Sequence, residues 1–469
     1  MSTSVGPASS GALVRRLRLG DAVVIGLASM IGAGAFVSLG AAQDLVGTLA
    51  PLAVLIAAVV ALGNATSTAQ LAAQHPSSGG TYHFANQQLG PWWGFLAGWC
   101  FVIGKIASCA AMALVVAAYL VPEPAQRPVA AVVVIALTAV NLMGITRTAA
   151  LARVLVTVAI AALVLTAGRL VVGLARAPID PTEGLDSTDG DAGATHLSTI
   201  PGPLAGQNAG LWDGGLAGAL GAGSGGTVAI ALAVLQAAAI MFFAFAGYAR
   251  VATLGEEVIE PRRTIPRAIL VALAAVCTLY LTLSILLVFV GPAPGGQGWG
   301  PAPFLTALES VEAGGVWHAI ITIGAVAAAA GALLALIAGV SRTVLAMARQ
   351  GDLPRYLSRS SNRYAVPQRA EIVAALAVLA LVLLASDALV AIAASAFGVL
   401  LYYAVANLAA FTQEGQWRLY PRFLQVVGLV GCLVLVAALP GRSIVAGLGL
   451  VAVGLAYRGI VLAARRRGT

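Results

Sequence analysis

Apolar stretches of about 18 residues or more recur from one end of this chain to the other, each long enough to carry a helix across a hydrocarbon core. In lipid a backbone has no water to bond to, so each stretch must satisfy its own amides and carbonyls, as a helix does. Of the 469 residues, 60% are hydrophobic and 9% charged, against about 25% charged in soluble domains. That excludes an ordinary soluble enzyme. The 54 glycines follow no three-residue period, which excludes a collagen-like chain. Met1 to Ala12 is small and polar, and Arg15, Arg16 and Arg18 precede the first apolar run, so no cleaved signal peptide is expected. Cys100, Cys109, Cys277 and Cys432 all lie inside apolar runs with no CxxC spacing, which reads as buried thiols, not disulfides or a metal site.

Setting apolar runs against helix breakers predicts about twelve spans. They cover approximately 20–47, 50–74, 91–121, 128–146, 150–175, 228–254, 266–291, 317–347, 369–386, 388–411, 423–440 and 443–462. With the N-terminus in the cytoplasm, about 21 arginines fall inside and about four outside, an asymmetry that supports both count and orientation. The outer ones are Arg127, Arg169, Arg176 and Arg442. The formal charge of +8 is therefore read as topology-setting, not as a nucleic-acid footprint. The expected organisation is a cytosolic tail (1–18), a first set of five helices (19–175), an external Gly/Asp-rich loop (176–227), a second set of five (228–412), and two further helices with a basic tail (413–469). In that loop Gly221, Gly223 and Gly226 loosely resemble GxGxxG, but no strand precedes them and a linker is expected. Residues 75–90 (HPSSGGTYHFANQQLG) are polar and too short to span, fitting an interfacial or re-entrant segment or a plain loop.

Two helices carry glycine breaks near mid-depth. The first reads GLASMIGAGAF, with Gly32, Ala33 and Gly34 at its centre; the sixth reads FFAFAGY, Phe242 to Tyr248. Irregular backbone survives in a bilayer only where it lines a cavity or is buried by protein. Each break exposes free N–H groups on one half-helix, suited to a carboxylate, and free carbonyls on the other, suited to an ammonium or metal cation. Small residues also permit close helix packing, but two breaks, each opening a set of five helices, point to a transporter site for a zwitterion.

SMIGAGAF in helix 1, SSGGTYHF after helix 2, FFAFAGYARVATLGEEVIEPRRTIPRAI around helix 6 and SRTVLAMARQGDLP ending helix 8 resemble the amino acid–polyamine–organocation superfamily, nearest its bacterial amino-acid permeases. The motifs span about residue 20 to 355. The resemblance implies an all-α polytopic fold with a LeuT-like core, in which helices 1–5 and 6–10 are inverted repeats and helices 11 and 12 are peripheral. It implies that Ile31, Gly32, Ala33 and Gly34 meet a substrate carboxylate, and that Phe243, Ala244 and Phe245 offer carbonyls to its amine, with Gly247 and Tyr248 beside the break. It also implies a lysine on helix 5 in proton-coupled members. Helix 5 here, ARVLVTVAIAALVLTAG, has none; Ala159 or a neighbour stands near that point.

The only lysine of the chain is Lys105, in helix 3 (GWCFVIGKIASCAAM). It lies about 14 residues into its span, roughly 21 Å along the axis, near mid-depth. A lysine there costs on the order of 2.5–3.5 kcal/mol on insertion scales and usually faces a polar interior. Its expected role is to replace the missing helix 5 lysine as the group that gives up a proton during transport. Direct pairing with the substrate carboxylate and a purely structural, snorkelling lysine are the alternatives. Asp44, Glu123, Glu309, Glu312 and Asp387 are placed near the outer surface, and Glu256, Glu257, Glu260, Asp352 and Glu371 near the inner one. With no carboxylate at mid-depth, a neutral amino acid is favoured over a cationic amino acid or polyamine. Phe243, Phe245, Ser108 and Ala111 either shape the pocket or pack. Glu256, Glu257, Glu260, Arg262, Arg263 and Arg267 read as an inner gate with Arg342 or Arg349, or as a solvated loop.

The expected function is secondary transport of an amino acid across the cytoplasmic membrane, with a proton, or sodium, as coupling ion and no other cofactor. Exchange without net ion coupling is the alternative. No HExxH, acid pair, partnered GxSxG or Walker A sequence argues for an enzyme or an ATP-driven pump, and no repeated charged ring argues for a channel. His75, His83, His196 and His318 lack metal spacing. The expected partners are the amino acid and the lipid bilayer, with no nucleic acid and a possible monomeric state.

Overall fold

The computed structural model describes residues 17–76, 79–143, 145–176, 227–255, 257–292, 298–359, 366–385 and 387–467. Residues 1–16 of the tail, residues 177–226 of the Gly/Asp-rich loop with its GxGxxG-like run, Ser77, Ser78 and Glu256 therefore lie outside the described residues. The chain forms helices α1 (Leu19–Met30), α2 (Ala33–Val46), α3 (Ala50–Gln74), α4 (Gly80–Gln88), α5 (Pro91–Leu120), α6 (Gln126–Leu142), α7 (Ile145–Arg176) and α8 (Thr227–Phe245). There follow α9 (Ala249–Ala252), α10 (Pro261–Val290), α11 (Pro303–Ser310), α12 (Gly315–Arg349), α13 (Gln368–Leu384), α14 (Ala388–Phe411), α15 (Arg422–Ala438) and α16 (Gly441–Arg467). No strand occurs among the described residues, only an isolated parallel bridge between Leu17 and Val258.

Eight apolar stretches long enough to cross a membrane lie among the described residues, accompanied by the shorter apolar helices Leu19–Met30, Gln126–Leu142 and Arg422–Ala438. Taking α1/α2 and α8/α9 as two broken helices, the described residues make about twelve passages, as expected. Mixed burial along these helices fits lipid on one side and protein on the other: Val132, Ile135, Leu384 and Val445 are exposed while Val134, Val382 and Tyr280 are not.

The element order repeats. After each broken helix comes a long helix (α3, α10), then a short one (α4 of 9 residues, α11 of 8), then a helix of 30 residues or more (α5 of 30, α12 of 35), then one of 17 (α6, α13). The contacts respect the same correspondence: α5 packs along α14 as α12 packs along α7, and α3 packs on α8 as α10 packs on α1. The short helices end up on opposite faces. α4 lies with the end of α12, where the Tyr82 hydroxyl donates to Gln350 Oε1 at 2.8 Å and Asp352 Oδ2 at 2.9 Å. α11 lies on the other face against α2 and α7. An inverted repeat follows, with α15 and α16 outside it. Within the 75–90 segment, Gly80–Gln88 is not a bare loop but the short helix α4, held by α5 and α14; its polar sequence hides this because the burial comes from tertiary neighbours. The last helix is tied on through Arg458, whose guanidinium pairs with Asp352 at 2.9 Å and lies over the rings of Trp92 and Phe95.

Candidate functional site

The first broken helix stops where expected. Gly-Ala-Gly has little helical preference, and Ile31 leaves the helix at ψ 79° before α2 restarts from Gly32, at φ −125° and ψ −154°. The Gly32 amide turns back to the Met30 carbonyl at 2.9 Å. Ala33 and Gly34 begin α2, so their amides have no acceptor within the helix. The second break falls at Ala246–Tyr248: the Ala246 amide donates to Phe243 O at 3.3 Å and the Gly247 amide to Phe245 O at 2.8 Å before α9 resumes.

The breaks touch. A Cβ on Gly247 would stand 2.1 Å from the Ser29 carbonyl oxygen, and one on Gly34 would stand 2.6 Å from Ala244 Cα. These two glycines thus bring backbone against backbone, as well as permitting the interruptions. Tyrosines fasten the freed carbonyls: Tyr280 donates to Met30 O at 2.8 Å and to Ala244 O at 3.3 Å, and Tyr403 donates to Ala246 O at 3.1 Å.

Lys105 reaches the same place. Its ammonium donates to Ala246 O at 3.2 Å and the residue is 6% exposed, so it turns inward and does not snorkel. Ala246 O therefore accepts from both Lys105 and Tyr403. A cavity of about 290 Å³ opens here, walled by Lys105, Ala246, Gly247, Ser29, Arg250 and Arg342 among others. A second, of about 550 Å³, shares Ser29, Arg250, Glu257 and Arg342 and runs past Asp21 and Arg153 to Leu17 and Val366. Together they form a vestibule from the N-terminal face to mid-depth. Towards the other face the path is packed shut: Phe36 meets Tyr119 and Phe304 edge-on at 6.2 and 6.0 Å, and Tyr119 donates to Phe36 O at 3.1 Å.

Of the residues singled out from sequence, Lys105 and Gly247 line these cavities. Ile31, Phe243, Ala244, Phe245 and Tyr248 are buried in the core around the breaks, with Gly32 and Gly34 beside them; Ala33 is described only in its backbone. Ser108 and Ala111 pack on α14 or nearby, Ser108 sharing a 2.6 Å hydrogen bond with Ser395. Sequence reasoning missed Ala246, because a carbonyl carries no mark in the sequence. Tyr280 and Tyr403, polar tips inside apolar runs, were the available signal. In the charged group, Glu257 and Arg342 enter the vestibule with Arg250. Arg349 is exposed, and Arg262 stacks over Trp417 at 4.5 Å. Glu371, placed near the inner surface from sequence, lies in the vestibule wall and is covered there by its neighbours.

Comparison with known proteins agrees with this architecture. Residues 21–457 match the family model described as "Amino acid permease". An uncharacterized transporter of Mycobacterium tuberculosis is 45% identical over 465 residues, 97% of this chain and 94% of that protein. The branched-chain amino acid permease BcaP of Bacillus subtilis is 26% identical over 77% of this chain and 73% of its own length. The vacuolar cationic amino acid transporter 4 of Arabidopsis thaliana is 28% identical over 77% of this chain and 57% of its own length.

Proposed function

We propose, for a chain that belongs to the amino acid permease family and is a multi-pass amino acid transporter, that it moves a neutral amino acid across the cytoplasmic membrane, driven by protons through Lys105. The carrying observation is the 3.2 Å bond from Lys105 Nζ to Ala246 O, at the break and in the cavity wall. A free carbonyl at the end of a half-helix attracts a cation, and here the protein supplies one of its own. That favours a proton over sodium as coupling ion, since the ammonium and the Tyr403 hydroxyl already occupy the carbonyl.

In this reading the charged lysine clamps α5 to the second break. When it gives its proton to vestibule water, the clamp weakens, α9 is free to shift, and the substrate ammonium takes the freed carbonyl. The amides of Ala33 and Gly34 then meet the substrate carboxylate. Gly34 and Ala244 are in contact in the present state, so substrate entry needs the two breaks to part. The orientation follows the arginine bias, with both termini and the vestibule in the cytosol.

A neutral substrate is supported by the lining of the Lys105 cavity, where Lys105, Arg250 and Arg342 outnumber the one carboxylate, Glu257, and by the likeness to a branched-chain permease. A cationic substrate is the competing reading, drawn from the plant relative's name and from Asp21, Glu257 and Glu371 in the vestibule wall. Radiolabelled uptake into liposomes holding the purified protein, with proton and sodium gradients imposed separately, decides between them. Accumulation of a neutral amino acid under a proton gradient alone is expected. Accumulation of arginine or lysine instead, or dependence on sodium, overturns the reading.

A further inference from the structure

Glu371 sits in the first turn of α13, at the wall of the larger cavity. It is 0% exposed, and neither carboxyl oxygen has a hydrogen-bond partner. An ionised carboxylate buried without a hydrogen bond in good geometry loses more solvation than it recovers, so this geometry fits the protonated acid. Three features favour the anion: the N-terminal end of a helix, the nearby Arg342 guanidinium, whose charge acts on Glu371, and the side-chain amide of Asn141, close enough to act on it as a donor.

Arg342 is placed to change this balance. It lines both cavities, touching the Lys105 pocket on one side and the Glu371 wall on the other. Arg342 makes no ion pair within bonding distance among the described residues. Its charge is felt by Arg250 as well, next to Glu257. The elements packed on α13 are α5, α6, α12 and the turn Arg355–Ser358. Their charged groups are Lys105, committed to Ala246; Arg127, near the start of α6; Arg342 and Arg349 on α12; and Arg355, which is exposed. His318 is the remaining titratable group on α12, near the start of that helix. Asn141 of α6 stands beside Glu371 and donates to Leu334 O at 2.9 Å. Asp21, Arg153, Arg250 and Glu257 face the same cavity.

We propose that Glu371 is a second proton-binding site, in the vestibule wall, which takes up a proton when Arg342 turns towards the Lys105 pocket and releases it to vestibule water when Arg342 pairs with it. This rests on the proton-driven reading above, and deepens it by putting two titratable groups in series along one path. The ligand is a proton and not a substrate amine, because neither carboxyl oxygen is exposed to the cavity in this state; the turn of Arg342 towards Glu371 is what admits the water that takes the proton.

The test uses infrared difference spectra of the purified protein between acidic and alkaline buffer, for wild type and Glu371→Gln, each with and without a transported amino acid. The expected result is a protonated-carboxyl band in wild type that is missing in Glu371→Gln and changes when substrate is added. In liposomes Glu371→Gln keeps substrate-for-substrate exchange, which also shows that it folds, but loses accumulation driven by a proton gradient. Arg342→Gln is expected to retain the band and make it insensitive to substrate. A band unaltered by Glu371→Gln, or accumulation by that variant with wild-type pH dependence, overturns the proposal. If wild type shows the substrate-sensitive band yet accumulates nothing under a proton gradient, the proton-driven reading falls and the protonation site stands.

Discussion

Gly247 is where one missing carbon decides whether two interrupted helices can meet. A methyl there must displace the Ser29 carbonyl, 2.1 Å from where it would stand, and one at Gly34 must displace Ala244. Gly247→Ala and Gly34→Ala are each expected to destabilise by about 1–3 kcal/mol, the usual cost of overpacking, seen as a lower melting temperature in detergent. Gly339→Ala, in the cavity wall with open space around its Cβ position, is the control and is expected to match or exceed wild type. Equal melting of all three variants would contradict the contact between the breaks. At this scale Lys105 was legible because it is the chain's single lysine and stands amid apolar residues. Its partner was not, since any residue's carbonyl would look the same in the sequence. Glu371 was placed near the inner surface, but its burial was not legible, because counting depth along one helix says nothing about the neighbours that cover its end.

Among the elements, α4 shows how a polar segment becomes fixed. His75 follows the end of α3, its ring 6.2 Å from that of His83 on α4 and its Nε2 3.1 Å from Gln88 Nε2. Burial, and then the neighbouring His83, push the His75 pKa below its ordinary 6.5; burial alone lowers that of His83. Both imidazoles are therefore held neutral in the fold while the unfolded chain takes up protons at the ordinary value. Stability gained from them is whole above about pH 6.5 and falls as the pH drops through that value. Melting temperature against pH is expected to decline on the acid side in wild type and to flatten there in His75→Gln/His83→Gln. An unchanged slope in the double variant would contradict the assignment. The glycine breaks and long apolar helices were readable because lipid leaves a chain so few options. α4 was not, because its helix is settled by α5 and α14 and by the Tyr82 bonds to the end of α12.

For the whole molecule, the inverted repeat and the one-sided vestibule describe a transporter caught open to its N-terminal face. The pairing of α5 with α14 and of α12 with α7 gives two equivalent seams about which the halves can rock. Ala338 lines the vestibule, so a cysteine there is expected to react with a membrane-impermeant maleimide in inside-out vesicles and not in right-side-out ones. Labelling from the outer side alone would reverse the orientation taken from the arginines. The repeat was expected from the resemblance and the paired breaks; which face stands open was not, because both states share one sequence.

The most direct measurement is simultaneous recording of amino acid and proton entry into liposomes containing wild-type protein or Lys105→Ala, with no other ion gradient. The account predicts that wild type brings in both together, and that Lys105→Ala, folded by its melting profile, still exchanges substrate but no longer moves protons with it. Proton-coupled, pH-dependent uptake by Lys105→Ala equal to wild type would contradict it.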